Sequence, residues 1–226
     1  MSARAESSAG PFALDFGGAT PHALSRLPTG RHGLPREFIE FNQRNRLLAA
    51  AVDQIAERGY LAATVADITK VAAVSRRTFY LHFANREACL LAAYDVILEW
   101  LELEGARAAQ PDRDWARNLS AAVGKVLALL AADPRIARVC ATEILFAGEV
   151  GWARHRTLVD RLAVRLALGR SEPTAGVGLP ANLEGILIGG AISLIARYVD
   201  AGDGDRLTEL GPELTEFLLL PYLGTG

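Results

Sequence analysis

Apolar residues recur at helical spacing in a series of segments that begins at Pro35. The first segment runs to Arg58, and Gly59 follows it, as is typical of the residue after a helix end. Two short helices are predicted between Thr64 and Phe83, and a fourth from Asn85 to about Ala108. The pattern therefore predicts an all-α fold of about nine helices, the last five at about Trp115–Ala132, Pro134–Phe146, Glu149–Leu168, Ala181–Asp200 and Asp205–Leu220.

The two short helices flank a tight break at Ala73-Val74. Thr64 is suited to cap the first of them, and Asp67 stands three residues later, where its carboxylate can reach back to the helix start. Ser75 is suited to cap the second. Two capped helices joined by a short turn predict a helix-turn-helix.

The second short helix is basic and aromatic. Phe79 and Phe83 are four residues apart and share a face, which we expect to pack inward. Arg76 and Arg77 stand in the first turn, where a positive charge opposes the helix dipole unless phosphates or guanine edges receive it. A helix pair with surface arginines also occurs in proteins that do not bind DNA, so both interpretations stay open at this point.

The wider stretch from Arg44 to Leu91 resembles the N-terminal domain of the TetR/AcrR family of transcriptional regulators. One departure is Ala73, where the family usually has Gly, and we expect a strained or different turn there. The residues that carry the resemblance are Ile55, Gly59-Tyr60, Thr64-Val65-Ala66-Asp67-Ile68, Ala72-Ala73-Val74-Ser75, Thr78-Phe79-Tyr80-Leu81-His82-Phe83, Arg86-Glu87 and Leu90.

The resemblance implies a three-helix DNA-binding domain, which we place at residues 35–88. Arg44 and Arg46 near the start of the first helix stand open between phosphate contact and plain exposure. We predict base contacts from Arg76, Arg77, Thr78 and Leu81, and phosphate contacts from Thr64, Ser75, Tyr80, His82 and Arg86.

The charge distribution agrees with a DNA-binding front. The formal net charge is −2, but residues 31–86 carry nine Lys or Arg against five Asp or Glu. Residues 172–226 carry two against eight. Residues 1–34 are rich in Gly, Ala, Ser and Pro, which predicts a mobile arm, and whether it is a solvated tail or reaches a DNA groove stays open.

Several classes of protein are not expected. The two cysteines, Cys89 and Cys140, are too few for a disulfide scaffold or a structural zinc site. We predict no metal and no cofactor. The chain shows no secretory signal and no apolar stretch of about 20 residues, so we expect a cytoplasmic protein with no membrane partner.

Residues 89–226 are predicted to form a larger helical domain for effector binding and dimerisation. No catalytic constellation stands out, so we predict that the protein is not an enzyme. In the resembling family this domain holds an apolar or amphipathic small molecule, and polar Thr142 and Glu143 would suit a hydrophobic or cationic one. The candidate lining residues are Trp100, Trp115, Leu119, Val123, Val139, Thr142, Glu143, Phe146 and Trp152, each of which also suits an ordinary core.

The segment from Asn182 to Val199 is apolar on nearly every side. Gly185, Gly189 and Gly190 would let another helix approach closely, either within the chain or across a dimer. The resemblance favours a homodimer through the last two helices. A two-fold protein would match a two-fold operator.

These features together predict a ligand-responsive repressor that binds a palindromic DNA operator as a dimer. We expect the effector to favour a conformation in which the fourth helix swings and moves the two reading helices away from their spacing of about 34–36 Å. Three alternatives stay open: a ligand-dependent activator, a corepressor-type regulator, and a helical ligand-binding protein that has lost DNA binding.

Overall fold

The structure, a computed structural model, describes residues 35–176 and 178–223. The predicted mobile arm at residues 1–34 lies outside them. Regular structure in the described residues is helical throughout, which confirms the all-α class. The α-helices of this part of the chain are α1 (Arg36–Arg58), α2 (Val65–Ala72), α3 (Arg76–His82), α4 (Arg86–Arg107), α5 (Trp115–Ala132), α6 (Pro134–Ala141), α7 (Gly148–Leu166), α8 (Leu183–Asp200) and α9 (Gly211–Leu219).

The chain divides into two compact units, and the division falls inside α4, between Ile97 and Leu98. We call the first unit the head and the second the body. The sequence predicts a boundary nearer the N-terminus, after residue 88. Helix α4 therefore contributes its first half to the head and its second half to the body.

The core of the head forms because α1 and α2 present apolar stripes to each other and to α3. Leu48 and Ile55 of α1, Ile68 of α2 and Phe79 of α3 are fully buried. Burying each of these side chains stabilises the fold by about 1.5–3 kcal/mol before entropy is counted. This cluster fixes the orientation of α3.

Two side-chain caps define the starts of α2 and α3, as the sequence predicts. The Thr64 backbone N–H donates to Asp67 Oδ2 at 3.0 Å, and the Asp67 N–H donates to Thr64 Oγ1 at 3.2 Å. This is the reciprocal capping box. At α3, Ser75 Oγ accepts the N–H of Thr78 at 3.0 Å.

The turn between α2 and α3 places Ala73 in the left-handed region, with φ 49° and ψ 47°. An L-residue pays about 1–2 kcal/mol for this conformation. Arg46 of α1 donates to the carbonyl oxygens of Ala72 and Ala73, which satisfies the free end of α2. The expected turn strain is therefore present, and half-buried Arg46 holds the turn through these two carbonyl oxygens.

Helix α6 ends earlier than the predicted Phe146. The hydroxyl of Thr142 donates to the carbonyl oxygen of Arg138 at 2.7 Å, and Thr142 leaves the helical conformation. Residues Glu143–Ala147 continue as a 3-10 helix. A local side-chain bond to the preceding turn competes with the helix at this point.

The last predicted helix also differs from the structure. The predicted segment Asp205–Leu220 begins as a 3-10 helix, Gly204–Leu210, and α9 starts only at Gly211. Pro212 explains the division, since proline lacks an N–H and is tolerated only in the first turn of an α-helix. Helices α7 and α8 start or end within about two residues of their predicted limits, the usual uncertainty of helix ends.

A buried carboxylate ties together distant parts of the body. Glu184 in the first turn of α8 accepts from Arg170 Nε at 2.6 Å, from Arg170 Nη2 at 2.8 Å and from the Tyr222 hydroxyl at 2.8 Å. The Arg170 hydrogen bond is the main reason that the pKa of Glu184 falls from 4.5 to about 2. We call these three residues the Glu184 cluster.

The Glu184 cluster predicts a specific loss of stability in acid. Because the folded pKa lies below the unfolded one, the ionised carboxylate stabilises the fold above about pH 4.5, and this contribution is lost as the pH falls toward 2. Urea unfolding between about pH 6 and 3 should therefore show a shallower pH dependence for Glu184→Gln than for the wild type. The control is Glu216→Gln, an exposed carboxyl on α9. Parallel pH profiles for wild type and Glu184→Gln would contradict the assignment.

The left-handed Ala73 predicts a stabilising glycine. Replacing Ala73 with Gly should raise the free energy of unfolding by about 1 kcal/mol, because Gly adopts a positive φ without the Cβ penalty. The same exchange at exposed Ala66, inside α2, should lower it by about 1 kcal/mol. Thermal and urea unfolding of both variants measure the two signs. A loss of stability at Ala73 would show that the turn adopts another geometry.

Candidate DNA interface and effector cavity

Helix α3 is anchored by its aromatic face. Phe79 and Phe83 are buried, with ring centroids 5.8 Å apart, and Tyr80 contacts Phe79 edge to face at 5.4 Å. The sequence predicts this inward face correctly. Since the helix has only seven residues, its opposite face is fixed by this packing and by the Ser75 cap.

The outward face of α3 carries the predicted base-contacting residues. Arg76, Arg77 and Leu81 are exposed, and Thr78 is half-buried. Within the described residues neither Arg76 nor Arg77 makes a side-chain hydrogen bond or ion pair. Tyr80, a predicted phosphate contact, is exposed as well. Two arginines in the first turn thus remain available to an external anion.

The hydroxyls predicted to contact phosphates are already engaged in caps. Thr64 Oγ1 donates to Asp67 Oδ2 at 2.6 Å, which uses its one proton. Ser75 Oγ lies 2.8 Å from Thr78 Oγ1 and accepts the Thr78 N–H. The structure therefore gives Thr64 and Ser75 a local role in holding the helix-turn-helix.

His82 is half-buried at the end of α3. Its Nε2 lies 3.4 Å from Oε1 of Gln43 on α1. Burial is the main cause that lowers the pKa of His82 below 6.5. Burial therefore favours the neutral form of this imidazole in the free protein.

Arg86 points back into the head rather than out of it. Its guanidinium donates to the carbonyl oxygens of Ala63 and Leu61 and lies over the ring of Tyr60, 4.1 Å from the centroid. These contacts fasten the start of α4 to the segment between α1 and α2. The sequence could not distinguish this arginine from a phosphate ligand, because its partners are backbone oxygens more than twenty residues away.

Helices α8 and α9 carry an exposed apolar face, which we call the α8–α9 face. Ile186 is 66% exposed, and Phe217 and Leu220 are also exposed. A Cβ added at Gly185 or Gly189 would meet no atom within 4 Å, so these glycines are not required by packing inside the body. Gly190 is exposed, and a Cβ added there would make an ordinary contact with the Phe217 ring at 3.5 Å.

The body encloses a cavity of about 540 Å³ between α4, α5, α6, α7, α8 and α9. Leucine, isoleucine, valine and alanine side chains make most of its wall. Trp115 of α5 stands at one side, where its ring also contacts Tyr222 edge to face at 5.1 Å. Gly169 permits this placement, since a Cβ there would overlap the Trp115 ring.

Three of the nine predicted lining residues lie at the cavity, namely Trp115, Leu119 and Val123. Six do not. Trp100 and Val139 are buried outside the cavity wall, and Phe146 and Trp152 are exposed. Thr142 and Glu143 lie at the end of α6, where Glu143 pairs with Arg138 Nε at 3.2 Å. The polar groups that suggested a cationic effector are thus not part of the cavity.

The charged residues of the cavity wall are Glu102 of α4 and Arg165 of α7, which the sequence prediction missed. Arg165 Nη2 donates to Glu102 Oε2 at 2.5 Å, and Arg161 donates to Glu102 Oε1. We call these three residues the Glu102 bridge. A sequence signal existed, since Arg161 and Arg165 share a helix face, but their common partner lies some sixty positions earlier.

The cysteines are buried and free. Burial raises the pKa of both Cys89 and Cys140 to about 12, which keeps them as unreactive thiols at neutral pH. Cys140 lines the cavity as a small apolar side chain. Across residues 35–176 and 178–223, no group of three or more His, Cys, Asp or Glu side chains is arranged to hold a metal.

Comparisons with known proteins agree on the fold. The chain resembles FadR, a fatty acid degradation regulator, from Bacillus halodurans (TM-score 0.70, 24% identity, 78% of this chain and 94% of that chain). It resembles Bacillus subtilis FadR in complex with stearoyl-CoA (0.67, 24%, 80% and 98%). It also resembles SmeT, the repressor of the Stenotrophomonas maltophilia multidrug efflux pump SmeDEF (0.64, 22%, 81% and 91%). No curated protein sequence matches the chain.

A comparison with family models finds one match, which lies in the head. Residues 47–93 match the model for bacterial regulatory proteins of the tetR family, a stretch that contains α2, α3 and the turn between them. The description of this model, bacterial regulatory proteins, agrees with the family that the sequence resembles. No helix of the described residues is long and apolar enough to cross a membrane. The family match is thus confined to residues 47–93, and the likeness to the solved structures shows that the fold is shared over about four-fifths of the chain.

Proposed function

We propose that the protein is a ligand-responsive repressor that binds a palindromic operator as a homodimer. Residues 35–88 read the DNA, and residues 89–226 bind the effector and form the dimer. The observation that carries the proposal is the pair of exposed arginines, Arg76 and Arg77, at the start of a helix that is packed and capped from behind. SmeT, which shares the fold, is itself a repressor.

The outward face of α3 has the chemistry of a reading helix. Arg76 and Arg77 present fork-shaped donors of the kind that bind guanine O6 and N7, and Leu81 offers an apolar contact for a thymine methyl. Tyr80 and His82 supply phosphate contacts. Arg86 acts indirectly by holding the head together, because its guanidinium already binds Ala63 and Leu61.

Dimerisation uses the α8–α9 face. A two-fold operator requires two copies of α3, and an isologous dimer presents them by symmetry. Exposed Ile186, Phe217 and Leu220 supply the apolar surface. Open backbone at Gly185 and Gly189 lets a helix of a second copy approach closely.

The effector is a molecule with a large apolar part that fills the cavity of the body. A volume of about 540 Å³ falls within the range of about 300–1,000 Å³ that is typical of ligand pockets. The FadR structure with stearoyl-CoA shows that this fold accommodates a molecule with a long apolar chain. Effector and operator weaken each other reciprocally, with a coupling free energy of about 1–3 kcal/mol.

The outward arginines predict a loss of sequence preference. Replacing Arg77 with Ala should cost about 1–3 kcal/mol of operator binding and relax the preference at one base pair. Replacing Tyr80 with Phe should weaken all duplexes alike, because a phosphate contact carries no sequence information. Fluorescence anisotropy with an operator selected from random duplexes, repeated at several salt concentrations, measures both effects.

The matched control is Arg156→Ala, which removes an exposed arginine of α7 in the body. It should leave affinity and base preference unchanged. If Arg77→Ala kept the wild-type preference at every base pair, Arg77 would not be a reading residue. If the wild type bound no duplex better than random sequence, the repressor proposal itself would fail.

The α8–α9 face predicts a monomeric variant. Replacing Ile186 with Glu should place a charge in the dimer interface and shift the protein toward monomer in sedimentation analysis at micromolar concentration. The control is Val164→Glu on α7, since Val164 is similarly exposed at 72% and lies away from α8 and α9 in sequence. A dimer that survived Ile186→Glu as well as Val164→Glu would place the interface elsewhere.

A further inference from the structure

The wall of the cavity changes character at the ends of α4 and α7. Ala106 and Ala109 on one side, and Arg165 and Leu168 on the other, line the cavity and are exposed to solvent. Leu168 is 63% exposed although it is a large apolar residue. These residues mark the mouth of the cavity, and the Glu102 bridge lies beside them.

At this mouth Glu102 is fully paired, whereas Arg165 is only partly paired. Glu102 is only 12% exposed and accepts from two guanidiniums, one on each carboxylate oxygen. Arg165 is about half exposed and lines the cavity, and within the described residues Glu102 is its one recorded partner. A guanidinium has five N–H donors, so Arg165 keeps donors that the described residues do not use.

We propose that the effector is an amphiphile with a long hydrocarbon chain and an anionic headgroup. We further propose that this headgroup binds Arg165 in competition with Glu102. The inference rests on the proposed effector role of the cavity. The hydrocarbon chain of the effector fills the apolar cavity. Its headgroup remains at the mouth of the cavity, where Arg165 is exposed to solvent. A carboxylate or phosphate matches the guanidinium fork, whereas an ammonium head would face two arginines.

Competition for Arg165 couples ligand binding in the cavity to α4. Glu102 belongs to α4, and both arginines belong to α7, so the Glu102 bridge joins these two helices inside the body. An anion that takes over Arg165 removes one of the two bonds that hold Glu102. Helix α4 also carries Arg86, which fastens its first turn in the head. Ligand binding thus alters the one helix that is shared by both units.

The test compares ligands that have different headgroups on the same hydrocarbon chain. Full-length protein is loaded with Nile red, a neutral apolar dye, which is displaced by hexadecanoate, hexadecanoyl-CoA, hexadecan-1-ol or hexadecyltrimethylammonium, each below its micelle concentration. We expect at least one of the two anions to bind about tenfold tighter than the alcohol, and the cation to bind most weakly. Preference for hexadecanoate assigns the head to a carboxylate, and preference for the CoA thioester assigns it to phosphates.

Protein variants then show which residues bind the headgroup of the ligand. Arg165→Gln should lower the affinity for the preferred anion about tenfold and leave the alcohol unchanged, whereas Arg165→Lys should retain part of the preference. Glu102→Gln should tighten the anion several-fold, because it removes the competing carboxylate. Arg156→Gln, the control on the same helix, should change nothing. Thermal melting of each variant confirms that it is folded.

The outcomes separate the inference from the proposed function. Equal binding of anion and alcohol, in the wild type and in Arg165→Gln, would overturn the anionic head and leave the apolar effector in place. Tightest binding of the cation, lost in Glu102→Gln, would overturn it in favour of a head that Glu102 reads. If none of the four molecules displaced the dye, the effector role of the cavity would fail, and the inference with it.

Discussion

The burial of Phe79 is the interaction on which the structure of the head depends. Helix α3 has seven residues, too few to be stable in water by its own hydrogen bonds. Phe79 is fully buried and Phe83 nearly so, and their packing fixes which side of α3 faces solvent. Arg76 and Arg77 are outward as a consequence. The charged residues of α3 therefore face outward because the aromatic residues on its other face are buried in the core of the head.

Much of the head could be predicted from sequence because its determinants are local. Thr64 with Asp67, and Ser75 with Thr78, are pairs three residues apart whose spacing alone specifies a cap. The turn at Ala73 was equally visible. What remained hidden were the partners of Arg46 and Arg86, since an arginine that binds distant backbone oxygens has the same sequence signature as one that binds a phosphate.

The body was less predictable for a related reason. A cavity is the space that six helices leave between them, and no segment encodes it alone. Trp115 lines it whereas Trp152 lies on the surface, although both are tryptophans on amphipathic helices. The predicted helix limits were wrong where a single residue changed the local structure. These residues are Thr142, through its hydroxyl, and Pro212, through its missing N–H. Tertiary packing, rather than propensity, decided each of these points.

The two ionic clusters of the body illustrate how similar residues serve different ends. In the Glu184 cluster the carboxylate is 5% exposed, and one arginine and one tyrosine satisfy it. Taking away a partner from such a site leaves a buried charge uncompensated, so the cluster is suited to holding the structure. In the Glu102 bridge the carboxylate is 12% exposed, but two arginines that are about half exposed share it. Such an arrangement is suited to switching because one arginine can bind another anion while the second arginine still compensates the charge of Glu102.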